Sequence, residues 1–465
     1  MTLKRAWLIA LTAVLVAVGI VEGPTAFAVS GLSGVTFAGS PQTGGATATW
    51  AVGFTTSSGQ GALAAGDTIT VTFNSAFNLS SAGVSLASGF TKCSASANAA
   101  AASVTITLAN SGGSCAHGKG AAASVNITGV TNAAAAGSYP ANSFSVATVQ
   151  DGSASPSNPV VISVGAPAKL AFTTAPPATG SAGAPLATFK VSVQDAGGNT
   201  VTTATDPITL GIGSGPSGGN FSSAPATYTN VAAVSGVATF SGVALDLAGT
   251  YTLTAGRSGL TSATSSAVVI SAGAASKLAF VQGPGNGFAG TALTPAITVQ
   301  VQDPNGNAVA ASGVTVTLTP SAGAIDSGAT ATTNSSGRAT FSGVTINNTA
   351  LGLTLTASAS GLTSTAPSAT FNITVAVSSG AVLTNASTDG SGSGVKSVAY
   401  YYCAGYSGSC TSTNWTLIGS STTATSYQVT WTSTPAPGAY RVVAVSTDNV
   451  TNVSQPSGST PVTVS

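Results

Sequence analysis

Lys169-Leu-Ala-Phe172 returns as Lys277-Leu-Ala-Phe280, and at the same spacing Val191-Ser-Val-Gln-Asp195 returns as Val299-Gln-Val-Gln-Asp303. Gly236-Val-Ala-Thr-Phe240 returns slightly sooner, as Gly337-Arg-Ala-Thr-Phe341. A period of about 100 residues is too long for a solenoid unit and fits one β-sandwich per repeat. The local pattern agrees. Tyr251-Thr-Leu-Thr254 and Val314-Thr-Val-Thr-Leu318 alternate apolar residues with threonine, as do Asp67-Thr-Ile-Thr-Val-Thr-Phe73 and Val104-Thr-Ile-Thr-Leu108 outside the repeat. Period two with one apolar face is the mark of a half-buried antiparallel strand. Threonine suits the wet face because β-branching favours extended backbone and its hydroxyl stays hydrated. No convincing helical period follows the leader. The expected fold class is all-β: tandem Ig-like antiparallel β-sandwich modules in an extended rod.

The chain opens with Lys4 and Arg5, an apolar run from Leu8 to Val21, and Ala26-Phe-Ala28. These are the three parts of a secretory signal, assigned to 1–28, with a retained anchor as the alternative. No later apolar run approaches the roughly 18–20 residues that span a bilayer, so no integral membrane segment is expected after signal cleavage. The protein is expected to be secreted and extracellular, or held at the cell surface.

Beyond the leader four modules are expected: 29–165, 166–272, 273–375 and 376–465. The first is strand-rich, unlike the repeats, and holds Cys93 and Cys115. In an oxidising compartment these should pair, closing a loop worth about 3 kcal/mol in the chain-entropy model. The last contains no Phe but six of the nine Tyr, with Cys403 and Cys410 closely spaced. A small disulfide loop is expected there, with two free thiols as the alternative. The joints Val160-Val-Ile-Ser-Val-Gly165 and Val268-Val-Ile-Ser-Ala-Gly273 run one module's last strand almost directly into the next module, which limits bending. They carry no clustered carboxylates, which argues against calcium stiffening.

Here a resemblance can be stated. A Lys-Leu-x-Phe strand is followed by Val-x-Val-x-Asp-x-x-Gly-Asn-x-Val at Val191–Val201 and Val299–Val309. Gly-x-Ala-Thr-Phe comes next, and then a Thr-Leu-Thr-Ala strand before Ser-Gly-Leu-Thr-Ser. This resembles the group 1 bacterial Ig-like domains of invasin- and intimin-like surface proteins. Module 376–465 resembles a different bacterial Ig-like group, through Gly394-Val-Lys-Ser-Val-Ala-Tyr400, Tyr427-Gln-Val-Thr-Trp431 and the segment Tyr440 to Asn449. The resemblance implies the sandwich fold; such folds host many activities. In Asp-x-x-Gly-Asn, Gly198 and Gly306 can take the positive φ of a tight hairpin turn. Asp195 and Asp303 are expected to bond the turn's own amides, with metal binding a weak alternative.

Charge excludes several functions. The leader holds the only Glu, Glu22, and the remainder carries nine Asp against nine Lys or Arg. With no basic stripe, no nucleic-acid partner is expected. His117 is the only histidine. It reads as an exposed loop residue, and a Cys115–His117 nucleophile pair is undercut by the obvious partner Cys93. No catalytic residue, metal site or cofactor is expected, and the protein is read as non-enzymatic. Gly211-Ile-Gly-Ser-Gly-Pro-Ser-Gly-Gly219 reads as a sandwich-end loop, since no phosphate-loop Lys-Ser/Thr follows. Lys169 and Lys277 read as solvated edge lysines that discourage strand pairing; isopeptide formation with Asn is the alternative. The candidate ligand contacts are Tyr401, turned outward by alternation, Tyr406 in the disulfide loop, and Trp415. The expected role is an adhesin or structural spacer at the bacterial cell surface, whose partner is an unidentified protein or glycan at the cell surface. The alternative is a carbohydrate-binding string accessory to polysaccharide degradation.

Overall fold

A computed structural model describes residues 31–385, 394–408, 410–423, 426–450 and 452–465. The expected signal segment 1–28 lies outside the described residues. Everything regular in them is strand, apart from two 3-10 turns at Ala141–Ser143 and Pro225–Thr227. The chain is all-β and Ig-like, with four separate apolar cores arranged in sequence order.

The first core lies between two four-stranded sheets. One runs Ser33–Ser40, Thr47–Thr55, Ala122–Thr131, Gly83–Ser88; the other runs Ser145–Thr148, Thr68–Thr72, Ser103–Asn110, Cys93–Ala99. Trp50, Phe73, Phe77 and Phe144 are fully buried and meet edge to face or tilted, with centroids 5.5–6.1 Å apart. The indole of Trp50 donates to Asn132 Oδ1 at 2.9 Å. Asn132 in turn donates to the carbonyls of Pro41 and Thr43, both at 2.9 Å. A buried polar group is thereby satisfied, and one end of the module is fastened. The expected Cys93–Cys115 bond is present, with Cα atoms 4.4 Å apart.

The two repeats share register as well as sequence. Lys169 faces Gln194 and Lys277 faces Gln302, and both opening strands slip by a bulge just after Phe172 and Phe280. The strands Lys169–Thr174, Phe189–Gln194 and Val237–Phe240 form one sheet of the first repeat; Lys277–Gln282, Ile297–Gln302 and Arg338–Phe341 form its counterpart. Between Phe189 and Phe240 the rings stack at 5.5 Å. In both repeats a short early strand pairs in parallel with the last one: Thr179–Ser181 with Val268–Ser271, and Gly287–Phe288 with Phe371–Val377.

Two local expectations are corrected. The glycine string is not all loop, because Gly211 to Ser214 belong to the strand Pro207–Ser214, paired with Gly249–Gly256. Glycine there lets the backbone pass Thr252 and Thr254, whose side chains leave no room for a Cβ at Gly213. Nor is His117 exposed. It is buried in the short strand Ala116–His117, with Nε2 3.1 Å from Thr56 Oγ1, Nδ1 2.7 Å from Gly89 O, and its ring beside Phe90. Gly-rich flanks masked a two-residue strand too short to show alternation.

The last module begins inside the previous one. Phe371–Val377, the final strand of the second repeat, continues and pairs in parallel with Thr460–Val464. Gly438–Asp448, Val395–Ala404 and Thr416–Ser421 complete that sheet, and Ala381–Leu383 pairs with Val429–Trp431. Val398, Tyr400, Tyr427 and Trp431 lie in its core, so most of the aromatic wealth of this module is packing.

Candidate functional site

Alternation along Val395–Ala404 sends Tyr400 inward, where its hydroxyl donates to Tyr427 O at 2.8 Å. Tyr401 turns to the opposite face and stacks on Trp415, with centroids 4.9 Å apart and ring planes inclined by 27°. Leu417, the residue paired with Tyr401 on the neighbouring strand, is 58% exposed. The Trp415 indole nitrogen is buried without a hydrogen-bond partner among the described residues. Tyr406 takes another role. Its hydroxyl hydrogen-bonds Thr463 Oγ1 at 2.6 Å, and it lines a cleft of about 190 Å³ with Asn286, Phe288, Asn372 and Thr374 of the second repeat. Tyr401 and Trp415 therefore form one aromatic patch, while Tyr406 sits at the seam between modules.

The disulfide loop that carries Tyr406 is held by a residue the sequence reading passed over. Cys403 and Cys410 are bonded, with Cα atoms 5.9 Å apart. Arg441, opposite Cys403 in the ladder, is nearly buried and donates to three carbonyls of the loop: Gly405 at 3.0 Å, Ser407 at 3.0 Å and Gly408 at 2.8 Å. A fork of guanidinium donors fits such a convergence of carbonyls better than a lysine ammonium would. The charge of Arg441 and its register opposite a cysteine were the available signals.

The Asp-x-x-Gly-Asn turns form the other polar concentration. Asp195 and Asp303 are buried. Each accepts from the amide of its turn Asn through Oδ1, at 2.8 Å for Asn199 and 2.9 Å for Asn307. That much is the expected turn chemistry. Each Oδ2 also accepts from the linker, 2.8 Å from Gly165 N and 2.8 Å from Gly273 N. Burial alone would push these carboxyls up, but hydrogen bonds from linker, turn amides and Asn side chains outweigh it, leaving both below the ordinary Asp value. Lys169 and Lys277 are more than solvated edge residues. Their ammonium groups donate to Ala196 O at 3.2 Å and Pro304 O at 2.9 Å, so the opening strand's lysine caps the same turn.

The turn Asn then reaches out of its own module. Asn199 Nδ2 donates to Ala134 O at 2.7 Å and its Oδ1 accepts from Ala136 N at 2.8 Å. One module later, Asn307 Nδ2 donates to Asp246 O at 2.8 Å and its Oδ1 accepts from Ala248 N at 2.7 Å. Gly45 and Gly183, both with positive φ, press their backbones against the turns at Gly197 and Asn305, where a Cβ would come within 2.7 Å and 2.8 Å. Among the described residues no three His, Cys, Asp or Glu side chains gather as a metal site. Nor, among them, is any helix long and apolar enough to cross a membrane.

No known family matches the chain, and no curated protein matches it. Solved multi-module structures do. The Escherichia coli adhesin FdeC, described as eliciting protection against urinary tract infections, is 20% identical over 65% of this chain and 99% of its own, with a TM-score of 0.27. The chicken CNTN1 FN1–FN3 domains are 11% identical over 64% and 98%, with a TM-score of 0.26. Drosophila OTK extracellular domains 3–5 are 11% identical over 65% and 99%, with a TM-score of 0.22. Overlays this loose carry no functional argument. The Ig-like reading rests on the paired sheets and their cores.

Proposed function

We propose that this chain is a non-enzymatic extracellular protein of bacterial Ig-like modules, related to the invasin and intimin type, acting as an adhesin or structural spacer at the cell surface. The observation that carries this reading is where the buried polar chemistry lies. Asp195 and Asp303, with their Asn and Lys partners, are spent on fastening turns, linkers and neighbouring modules. The disulfides fit an oxidising, extracellular setting. The two repeats are the shaft, and recognition belongs to the unlike modules. The test is retention of the full secreted chain on the producing cell, followed by capture of host cells or matrix proteins. Release of all the protein into the medium, with no capture, overturns the reading.

A second reading, a carbohydrate-binding string, is favoured by the Tyr401–Trp415 stack beside exposed Leu417. Aromatic faces of this kind pack on sugar rings. Polysaccharide pulldown with the full chain, abolished by Trp415→Ala but not by Tyr406→Phe, would favour it over the spacer.

A further inference from the structure

Asn199 and Asn307 make the same two bonds to the preceding module although the two preceding modules are unrelated in sequence. In each case a side-chain amide bridges a backbone carbonyl and the backbone amide two residues further on: Ala134 and Ala136 in one joint, Asp246 and Ala248 in the other. We propose that Asp-x-x-Gly-Asn is an inter-module docking site, whose partner is any module end loop offering a carbonyl and an amide at that spacing, and that it sets one fixed angle at each joint.

The chemistry demands this residue. A planar amide supplies one acceptor and two donors; docking uses the acceptor and one donor, and the turn's own carboxylate takes the other donor. In the first joint, one Nδ2 hydrogen is held by the Asp195 carboxylate, 3.0 Å away at Oδ2, and the other goes to Ala134 O. In the second, Asn307 Nδ2 lies 2.8 Å from Asp303 Oδ2 and 2.8 Å from Asp246 O. The carboxylate thereby fixes which way the amide points, because the flipped amide would set oxygen against oxygen. The same carboxylate holds the linker through Gly165 or Gly273, so linker, turn and end loop of the neighbour meet at one acid–amide pair. A glycine of the neighbour, Gly45 or Gly183, supplies the close backbone approach.

Module 376–465 contains an internal control. Asp448 and Asn452 repeat the turn's internal bonds, Asn452 N to Asp448 Oδ1 at 2.7 Å and Asn452 Nδ2 to Asp448 Oδ2 at 2.9 Å. Among the described residues the Asn452 side chain reaches nothing outside its module. The turn therefore forms without docking, and docking is a separate property of Asn199 and Asn307.

The experiment uses the full chain carrying spin-label pairs at exposed positions either side of a joint, Val149 with Val234 for the first and Val234 with Leu351 for the second. The parent should give one narrow distance peak across each joint. Asn199→Ala and Asn199→Asp should lose the narrow peak across the first joint only, and Asn307→Ala across the second only. Asn452→Ala should change neither. Ala136→Pro and Ala248→Pro delete the partner amide without touching the turn and should broaden the same joints. Hydrogen exchange read in parallel should show lost protection at Gly165 or Gly273 with the module cores still protected. Narrow peaks surviving in both Asn→Ala and both Ala→Pro chains overturn the proposal. So does broadening accompanied by exchange throughout the repeat core, which would make the Asn a folding residue of its own turn.

Discussion

Two joints of this chain are made by side chains and one by backbone. Before each repeat, an acid–amide pair ties turn, linker and neighbour together. Before the last module, the strand Phe371–Val377 runs through the boundary and pairs with Thr460–Val464, with Thr374 and Thr463 hydroxyls 2.8 Å apart. The difference teaches that the repeat signature belongs as much to the junction as to the sandwich. The last module dispenses with it because a shared strand already fixes the contact.

The comparison can be tested from its strongest element downward. Phe189→Ala empties a stacked core pair and should destabilise the first repeat by about 3–5 kcal/mol, leaving the strand-built joint intact in denaturant unfolding followed module by module. Asp303→Ala strips the acceptor from two backbone amides and the Asn307 side chain and should cost about 2–3 kcal/mol; Asp448→Ala, in an exposed turn, should cost about 1 kcal/mol or less by the same measurement. Acid should separate the joints without mutation. The Asp195 and Asp303 carboxyls are lowered in the folded state, so the stability they lend is complete above the ordinary Asp value near pH 3.9 and disappears as pH falls through their native values. Scattering across that window should show the first two joints loosening before the third. Tyr406→Phe removes one seam hydrogen bond and should cost about 1 kcal/mol, read as faster exchange at Thr463. Salt should do least. The one ion pair among the described residues is Arg257–Asp206 at 3.1 Å, partly exposed, so raising NaCl should shift stability by under about 0.5 kcal/mol.

The strands were legible because alternation is a local signal. Ile69, Val71, Phe73 and Val104, Ile106, Leu108 all fall in the first core as their pattern implies. Asp195 and Asp303 were legible as turn residues for the same reason. The bond from Gly165 to Asp195 and the outward bonds of Asn199 were not, because Gly165, Ala134 and Ala136 contribute backbone atoms, and backbone leaves no letter in the sequence. Lys169 and Lys277 were misjudged as merely solvated because the carbonyl that each reaches belongs to a turn about 27 residues on, a pairing fixed by ladder register and not by spacing. His117 and Arg441 share that difficulty: Arg441 reaches three main-chain oxygens, and His117 one main-chain oxygen and the hydroxyl of the sequence-distant Thr56. Of the aromatic trio, alternation identified the outward turn of Tyr401, whereas the separate fate of Tyr406 depended on where the module boundary folds.

The parallel pairing of early and late strands has a mechanical consequence. In the last module the entering strand at Val375–Val377 lies beside Val462–Val464 and points the same way. Tension drawn along the chain pulls these two strands in opposite directions along their length. The hydrogen bonds between them then bear the load together, in shear, and cannot open one at a time from an end. Thr179–Ser181 against Val268–Ser271 and Gly287–Phe288 against Phe371–Val377 repeat the arrangement. Single-molecule stretching of the chain should therefore meet abrupt, high-force events at these patches.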